Sequence, residues 1–123
     1  MKVRFVAEMG NTGDDNIKVD LSGIKDLPKF LIITAEDYST AIATGRVFIA
    51  DNVLKVEADL REEEFRLFPT IGFESISEDN INGLVIIKEM DLHTVSLQPN
   101  PNTDILIKTI QDQIHDGTAE VLD

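Results

Sequence analysis

The stretch from Gly83 to Asn102 constrains the fold more than any other part of the chain. It reads Gly-Leu-Val-Ile-Ile-Lys-Glu-Met-Asp-Leu-His-Thr-Val-Ser-Leu-Gln-Pro-Asn-Pro-Asn. Its apolar and β-branched residues predict buried strand segments at 84–89 and 91–97, after a turn at 78–83. Pro99 to Asn102 then stops the strand, because proline cannot donate to a ladder of main-chain hydrogen bonds. We therefore expect this segment to lie in a β-sheet.

Strand-length segments recur through the rest of the chain. Alternating or short apolar runs predict strands at 2–8, 17–21, 30–34 and 69–73, and a hairpin of 46–49 with 53–60 around Ala50-Asp51-Asn52. The charged residues of 61–64 are too few for a helix of their own. The sequence thus predicts a mainly β (α+β) fold of seven or so short strands, arranged as a small barrel or compact sandwich.

A single helix is predicted after the strands. Thr103 is a candidate N-cap, Asp104 lies in the first turn, and Gly117 is a candidate for the position after the helix. Apolar residues recur between them at helical spacing, at Leu106, Ile107, Ile110 and Ile114. The predicted organisation is a β domain over 1–102, a helix over 103–117 that packs on it or on a neighbour, and a frayed tail over 118–123.

Composition limits the class of protein. The chain has 123 residues, which is enough for one modest domain, and a domain of this size gains from oligomerisation. Its 23 acids against 11 Lys and Arg give a net charge of −12, which opposes binding to a phosphate backbone and favours solubility or a basic partner surface. No cysteine is present, no apolar run is long enough for a membrane helix, and the first residues do not resemble a signal peptide. We expect no nucleic-acid and no membrane partner.

Few residues have the pattern of a cofactor or metal site. Asp14, Asp15 and Asn16 carry oxygen ligands for a hard cation, but no calcium-loop spacing follows them and they are interpreted as a solvated turn. Glu62, Glu63 and Glu64 are interpreted as a solvated charge run. No glycine-rich phosphate loop, HExxH or Gly-X-Ser-X-Gly motif is present. The sequence therefore predicts no cofactor and no metal.

Four segments, in order, resemble the capsid maturation (prohead) protease family of tailed phages. The first is an Asp-rich turn at 14–16 followed by Val-Asp-Leu-Ser-Gly-Ile at 19–24. The second is Phe-Leu-Ile-Ile-Thr-Ala-Glu-Asp-Tyr-Ser at 30–39, which is similar to the strand that leads to the catalytic histidine. The third is the hairpin of 42–47 and 54–58, and the fourth is Thr-Ile-Gly-Phe at 70–73, which resembles the serine-bearing segment. With the opening strand and the strand that ends in Pro-Asn-Pro-Asn, they cover 1–102. The resemblance implies a small assemblin-like β-barrel with a C-terminal helix.

All three catalytic positions of that family are substituted in this chain. Glu36 stands where the histidine is expected, Thr70 where the nucleophilic serine is expected, and Thr94 where the acid is expected. The family's helix before the serine segment is reduced to the residues 62–68. These departures imply a degenerate, pseudoprotease-like chain with no catalytic residues.

The remaining groups are poor replacements for a catalytic site. A hydroxyl nucleophile needs a nearby base, and a carboxylate such as Glu36 with a pKa near 4.3 is a weak base for Thr70. His93 and His115 are the two imidazoles of the chain. Because successive side chains of a strand alternate, His93 is expected to face away from Thr94, together with Val95 and Leu97. His115 is expected at the surface, near the end of the helix.

We therefore expect a non-catalytic virion protein of a phage. The resemblance implies a capsid decoration or auxiliary protein, or an assembly factor, that binds the major capsid protein or other virion proteins. It would occupy the virion, and the host cytoplasm during assembly, and self-association, for example as a trimer, is expected. One alternative is an active prohead protease with an altered site that uses Thr70. Another is a small β domain that binds an unrelated protein.

Overall fold

The structure is a computed structural model that describes residues 1–9, 17–19, 22, 24, 26–35, 40–51, 53–99 and 108–122. Strands dominate it, with one short 3₁₀ helix and one short α-helix. The elements in chain order are β1 (Lys2–Val6), β2 (Glu8–Met9), β3 (Ile17–Val19), β4 (Phe30–Ala35), β5 (Ala41–Ala50), β6 (Val53–Asp59), the 3₁₀ helix (Glu62–Arg66), β7 (Phe68–Ile81), β8 (Leu84–Gln98), α1 (Ile110–Asp116) and β9 (Glu120–Val121).

All nine described strands belong to one mixed sheet. Its order is β2-β7-β8-β4-β5-β6-β1-β9, with β3 paired to β8 beside this path. The pairs β2–β7, β3–β8 and β4–β8 are parallel, and the remaining pairs are antiparallel. The mainly β prediction is confirmed, but the predicted barrel is wrong: among the described residues no pairing joins β2 to β9, so the sheet is not closed. Both end strands are only two residues long, and closing a barrel requires paired strands at both edges.

The core lies against one face of the sheet, which we call the inner face. Strand alternation places every second residue there, so Val3 and Phe5 of β1 lie beside Val56 of β6, and Ile33 of β4 lies beside Val95 of β8. All five of these side chains are fully buried. Outside the strands, the inner-face core is completed by Leu60, Phe65, Ile110 and Ala119. The opposite face, the outer face, carries Ile32, Arg46, Glu57 and Thr94.

The longest element is the β7–β8 hairpin, whose turn is shorter than predicted. The turn is not 78–83 but only Asn82 and Gly83, because Ile81 pairs directly with Leu84. Asn82 has φ 52° and Gly83 has φ 82°. Two successive positive φ values are the requirement of the two-residue type I′ turn, which Asn-Gly satisfies better than most sequences. The two predicted segments 84–89 and 91–97 are one continuous strand.

Three irregularities interrupt the pairing of this hairpin. Gly72 pairs with Thr94 and Phe73 with Leu92, so His93 is an extra residue on β8. The register shifts again at Ile76 of β7 and at Lys88 of β8. Each such β-bulge increases the local twist of the strands and changes the face on which later side chains lie.

The α-helix is shorter than predicted. It begins at Ile110, and its N-cap is Thr109, whose Oγ1 accepts a hydrogen bond from the main-chain N–H of Asp112 at 3.1 Å. Thr109 is extended, so a helix over 103–117 is wrong, while the predicted role of Thr103 lies outside the described residues. The predicted end is confirmed, since Gly117 follows the helix with φ 85°, a conformation that glycine adopts without steric cost.

The residues after the helix are not a frayed tail. Glu120 and Val121 form β9 against β1, and the N–H of Leu122 donates to the carbonyl of Lys2 at 2.8 Å. Ala119 is buried in the core. The tail prediction failed because a short segment with little local preference gains its order from long-range pairing.

Candidate functional site

The structure brings two of the three positions that the family resemblance singled out to one face of the sheet. Thr70 pairs with Ser96 across β7 and β8, and Thr94 pairs with Gly72 two residues further along. Because directly paired residues point to the same side, Thr70 and Thr94 both lie on the outer face. The third position, Glu36, lies outside the described residues.

The hydroxyl of Thr70 is used within the sheet. Its Oγ1 donates to the main-chain carbonyl of Ser96 at 3.2 Å. Ser96 is buried, and its Oγ accepts a hydrogen bond from the side-chain amide of Gln98. Next to Ser96 lies Thr34, which is also buried and whose Oγ1 has no hydrogen-bond partner among the described residues. Thr70 is paired on one side with Ser96 of β8 and on the other with Glu8 of β2, so no histidine is paired with it in the described sheet, whereas a carboxylate-bearing residue is.

Neither histidine is paired with Thr70 or Thr94 in the described sheet. The bulge turns His93 into the solvent, where its Nε2 lies 3.5 Å from Oε2 of Glu74. The prediction that His93 shares a face with Val95 and Leu97 is therefore wrong, since those two side chains are fully buried and His93 is more than half exposed. His115 lies exposed in the last turn of α1, at the predicted surface position.

The outer face holds a charged cluster that the motif search did not identify. Glu57 of β6 is 92% covered, and it lies between Arg4 of β1 and Arg46 of β5. Arg4 Nε donates to Glu57 Oε1 at 2.8 Å, and Arg46 Nε donates to Oε2 at 3.2 Å. The hydrogen bond from Arg46, and the one from Arg4, lower the pKa of Glu57 below its ordinary value of 4.5, although burial opposes the shift. Both guanidinium groups also lie near the ring of Phe48, at 4.6 Å for Arg46 and 5.9 Å for Arg4.

Exposed apolar side chains connect this charged cluster to the row that contains Thr70. Phe30 is 59% exposed and pairs with Arg46, while Ile32 is 52% exposed and pairs with Thr94. We call Phe30, Ile32, Arg46, Phe48 and Thr94 the outer-face patch. Two large exposed hydrophobic residues thus lie beside an arginine–aromatic contact on this face.

The sequence predicts only part of the arrangement on the outer face. Alternation in β6, with Leu54, Val56 and Ala58 on one face, does place Glu57 on the other. It does not indicate that Arg4, 53 residues earlier, pairs with it, because strand order is not visible in a single sequence. The exposure of Phe30 and Ile32 was likewise missed, since an apolar run such as 30–34 predicts burial on both faces.

Across the described ranges, no group of three or more His, Asp or Glu residues is arranged to hold a metal ion, and the candidate Asp14, Asp15 and Asn16 lie outside those ranges. No helix of the described residues is long and apolar enough to cross a membrane.

A scan of protein-family models, a search of curated proteins and a search of solved structures each found no match to this chain.

Proposed function

We propose that this protein is a non-catalytic, protein-binding component of a tailed-phage particle or of its assembly. In this proposal it is a capsid decoration or auxiliary protein, built on a degenerate maturation-protease fold, and it binds the major capsid protein or another virion protein. The observation that carries the proposal is the outer face itself. Large apolar side chains, Phe30 and Ile32, are exposed on this face, and the hydroxyl of Thr70 on the same face donates to a main-chain carbonyl rather than to a base.

Loss of proteolytic activity is supported by the hydrogen bond that Thr70 donates. A hydroxyl becomes nucleophilic when a base within about 2.6–3.2 Å takes its proton. Thr70 instead donates to the carbonyl of Ser96, which cannot accept a proton to any useful extent. An attacking Thr70 would first have to give up this hydrogen bond.

Binding to a protein is supported by the composition of the outer-face patch. Arginine and aromatic residues are enriched at the centres of interfaces, where they contribute most of the binding energy. Arg46 is fixed by Glu57 and by the ring of Phe48, so little conformational entropy remains to be lost when a partner covers it. The net charge of −12 disfavours a nucleic-acid partner for the same surface.

The open sheet favours a second candidate, a small β domain unrelated to the maturation proteases that binds a different protein. The two candidates share the outer-face patch and differ in the partner. In the first, the partner is a virion protein and the chain travels with the particle. In the second, the protein is expected neither to bind a virion protein nor to be present in the particle.

A binding experiment with the cognate major capsid protein separates them. Purified protein is incubated with capsid protein and with assembled particles, and bound protein is measured after sedimentation. The double variant Phe30→Ser with Ile32→Ser is expected to lose most of the binding, at least tenfold, because both anchors lose their apolar surface. The matched control is Ile76→Ser, which removes an equally exposed isoleucine from the β7–β8 hairpin and should leave binding unchanged.

Three outcomes would count against the virion proposal. These are no sedimentation with capsid protein or particles, absence of the chain from purified virions, and cleavage of the capsid precursor that Thr70→Ala abolishes. The last would instead establish an active protease with an altered site. The expected self-association is measured separately, by light scattering of the free protein.

A further inference from the structure

A groove lies at the edge of the sheet beside β9, and none of its lining residues belongs to the outer-face patch. It has a volume of about 570 Å³ and lies between the 3₁₀ helix, α1 and β9. Its apolar lining comes from Met1, Phe65, Ile114 and Val121. Glu62 and Glu63 line it as well, and Arg66 and His115 add basic groups.

The groove is a continuation of the core that remains open to solvent. Val121 pairs with Val3, a fully buried residue of the inner face, so the side chain of Val121 lies on that face too. Phe65 is 6% exposed at the base of the groove, whereas Met1 and Val121 are 45% and 36% exposed. An apolar side chain placed here would extend the packed core by one layer.

The main chain beside the groove is a free sheet edge among the described residues. In an antiparallel ladder, hydrogen-bonded and non-hydrogen-bonded residue pairs alternate. The N–H of Leu122 donates to the carbonyl of Lys2, so Lys2 and Leu122 form a hydrogen-bonded pair. Because the two kinds of pair alternate, Arg4 and Glu120 form the next hydrogen-bonded pair. Val121 lies between them, so its own N–H and carbonyl point away from β1. They are available to an incoming strand.

Acidic groups surround this edge. Glu120 lies on the outer face, because it is the strand partner of Arg4, and its side chain stays 70% exposed although its Oε2 lies 3.6 Å from Nη1 of Arg4. Glu62 lines the groove and makes no ion pair with a described residue, while Glu63 lies 3.3 Å from Arg61. An extended segment whose apolar residue enters the groove would direct its two neighbouring side chains to the opposite face, toward Glu120. Positive charge at those neighbouring positions would complement the edge.

We propose that β9 and the groove form a docking site for an extended basic–apolar segment of a partner protein. The segment adds a strand to the free edge at Val121, places one apolar side chain among Met1, Phe65 and Ile114, and sets flanking Lys or Arg residues toward Glu120. This is β-strand addition, in which the main chain supplies affinity and alternate side chains supply specificity. The site goes beyond the proposed function, because it depends neither on the outer-face patch nor on the identity of the capsid partner.

Other occupants fit less well. A helix satisfies its own main-chain groups and would leave the outward N–H and carbonyl of Val121 unpaired. A second copy of this chain would bring a protein of charge −12 to an edge with exposed Glu120 and Glu62. An extended cationic segment can pair with the main chain of Val121, fill the apolar groove and complement the acidic charge.

The experiment uses a blocked peptide of alternating Lys and Val, titrated into isotope-labelled protein and followed by two-dimensional NMR. Two matched peptides accompany it: alternating Lys and Ser, which keeps the charge, and alternating Glu and Val, which keeps the apolar side chains. We expect the Lys–Val peptide to shift the signals of Val121, Leu122, Ile114 and Phe65. The two control peptides should bind at least about tenfold more weakly.

The deciding variant is Val121→Pro. Proline removes the outward N–H and leaves the two hydrogen-bonded pairs of β1 and β9 in place, which an edge strand tolerates. It should weaken binding about tenfold, whereas Val121→Thr, which keeps the N–H and a branched side chain, should bind within about threefold of the original protein. Should Val121→Pro fail to fold, Glu120→Lys replaces it and should weaken the Lys–Val peptide while strengthening the Glu–Val peptide.

The proposal fails if the Lys–Val peptide does not bind. It also fails if shifts are spread over acidic residues throughout the protein, if the Lys–Ser peptide binds equally well, or if Val121→Pro binds as tightly as Val121→Thr. These results leave the capsid-binding experiment unaffected, because that experiment uses different surface residues and a different partner.

Discussion

The side chain of Gln113 hydrogen-bonds to both main-chain groups of Val6, a residue 107 positions away in the chain. Its Oε1 accepts from the N–H of Val6 at 2.8 Å, and its Nε2 donates to the carbonyl of Val6 at 2.9 Å. The second proton of Nε2 goes to the carbonyl of Lys108 at 3.3 Å. The buried amide therefore takes the place of a strand residue beside β1, at the point that β9 does not reach. It covers an edge that would otherwise be open to pairing with another chain.

Replacing this amide should destabilise the protein strongly. In Gln113→Ala, the N–H and carbonyl of Val6 lose their partners in a buried position, and the expected loss is about 2–4 kcal/mol of unfolding free energy. Urea unfolding followed by circular dichroism measures it. Gln111→Ala on the same helix is the control, since Gln111 is exposed, and it should change stability by less than about 0.5 kcal/mol. Equal effects of the two substitutions would contradict the edge-covering role of Gln113.

Two strand glycines should respond differently to a methyl group. A Cβ on Gly45 would lie 2.6 Å from Cγ1 of Val56 and 3.0 Å from Cδ1 of Ile33, in the packed core. A Cβ on Gly72 would meet Oγ1 of Thr94 at 3.4 Å, an ordinary contact. Gly45→Ala should therefore cost about 1–3 kcal/mol, whereas Gly72→Ala should be neutral or slightly stabilising. Thermal unfolding of the two variants compares them directly, and a tolerated Gly45→Ala would mean that β5 and β6 lie further apart.

The cluster around Glu57 should make stability depend on pH in the acid range. Its two arginines lower the pKa of Glu57 in the folded state below 4.5, so the folded protein holds this proton less tightly than the unfolded chain. The resulting stabilisation is present above about pH 4.5 and is lost as the pH falls through the lowered pKa of the folded state. Since both arginines are partly exposed, Glu57→Gln should cost only about 1–2 kcal/mol at pH 7.

The measurement is the unfolding midpoint of the original protein and of Glu57→Gln between pH 7 and pH 3. The difference should shrink as the pH falls, because protonated Glu57 resembles the glutamine. Glu62→Gln, a change at an exposed carboxylate with no ion pair among the described residues, should show no such convergence. A difference that stays constant down to pH 3 would show that the arginines do not stabilise the ionised form of Glu57.

The turn of the long hairpin should tolerate glycine but not alanine. Asn82 and Gly83 both have positive φ, where a side chain other than that of Asn or Asp is strained. Gly83→Ala should cost about 1 kcal/mol, and Asn82→Gly should cost less, because glycine adopts this conformation freely. Chemical denaturation gives both values. If Gly83→Ala is harmless, the turn is not of the two-residue type.

Local patterns predicted the elements but not their ends or their partners. Alternation and turn residues were sufficient to find β1, β4, the β5–β6 hairpin and the strand at 84–97, because these signals depend on neighbouring residues. The start of α1 was misplaced since Thr103 and Thr109 are both plausible N-caps. The His93 bulge was missed because an extra residue in a strand is defined by its partner strand, here at Gly72 and Phe73.

The candidate surfaces were harder to predict for a related reason. The three substituted positions were found from a motif, and two of them, Thr70 and Thr94, do share a face. The outer-face patch and the groove each combine residues from distant parts of the chain, such as Ile32 with Thr94 and Met1 with Val121. Their contacts follow from sheet order, which a single sequence of this length does not specify.

Residues near both ends of the described chain lie side by side, with Lys2 hydrogen-bonded to Leu122. During synthesis the ribosome releases β1 first, yet the groups that cover its edge, Gln113 and β9, emerge more than a hundred residues later. Until then the nascent β1 edge can pair with other chains, and the native sheet cannot be completed. Folding of this sheet should therefore be slow, and ribosome-bound chains that stop before residue 113 should depend most on chaperones.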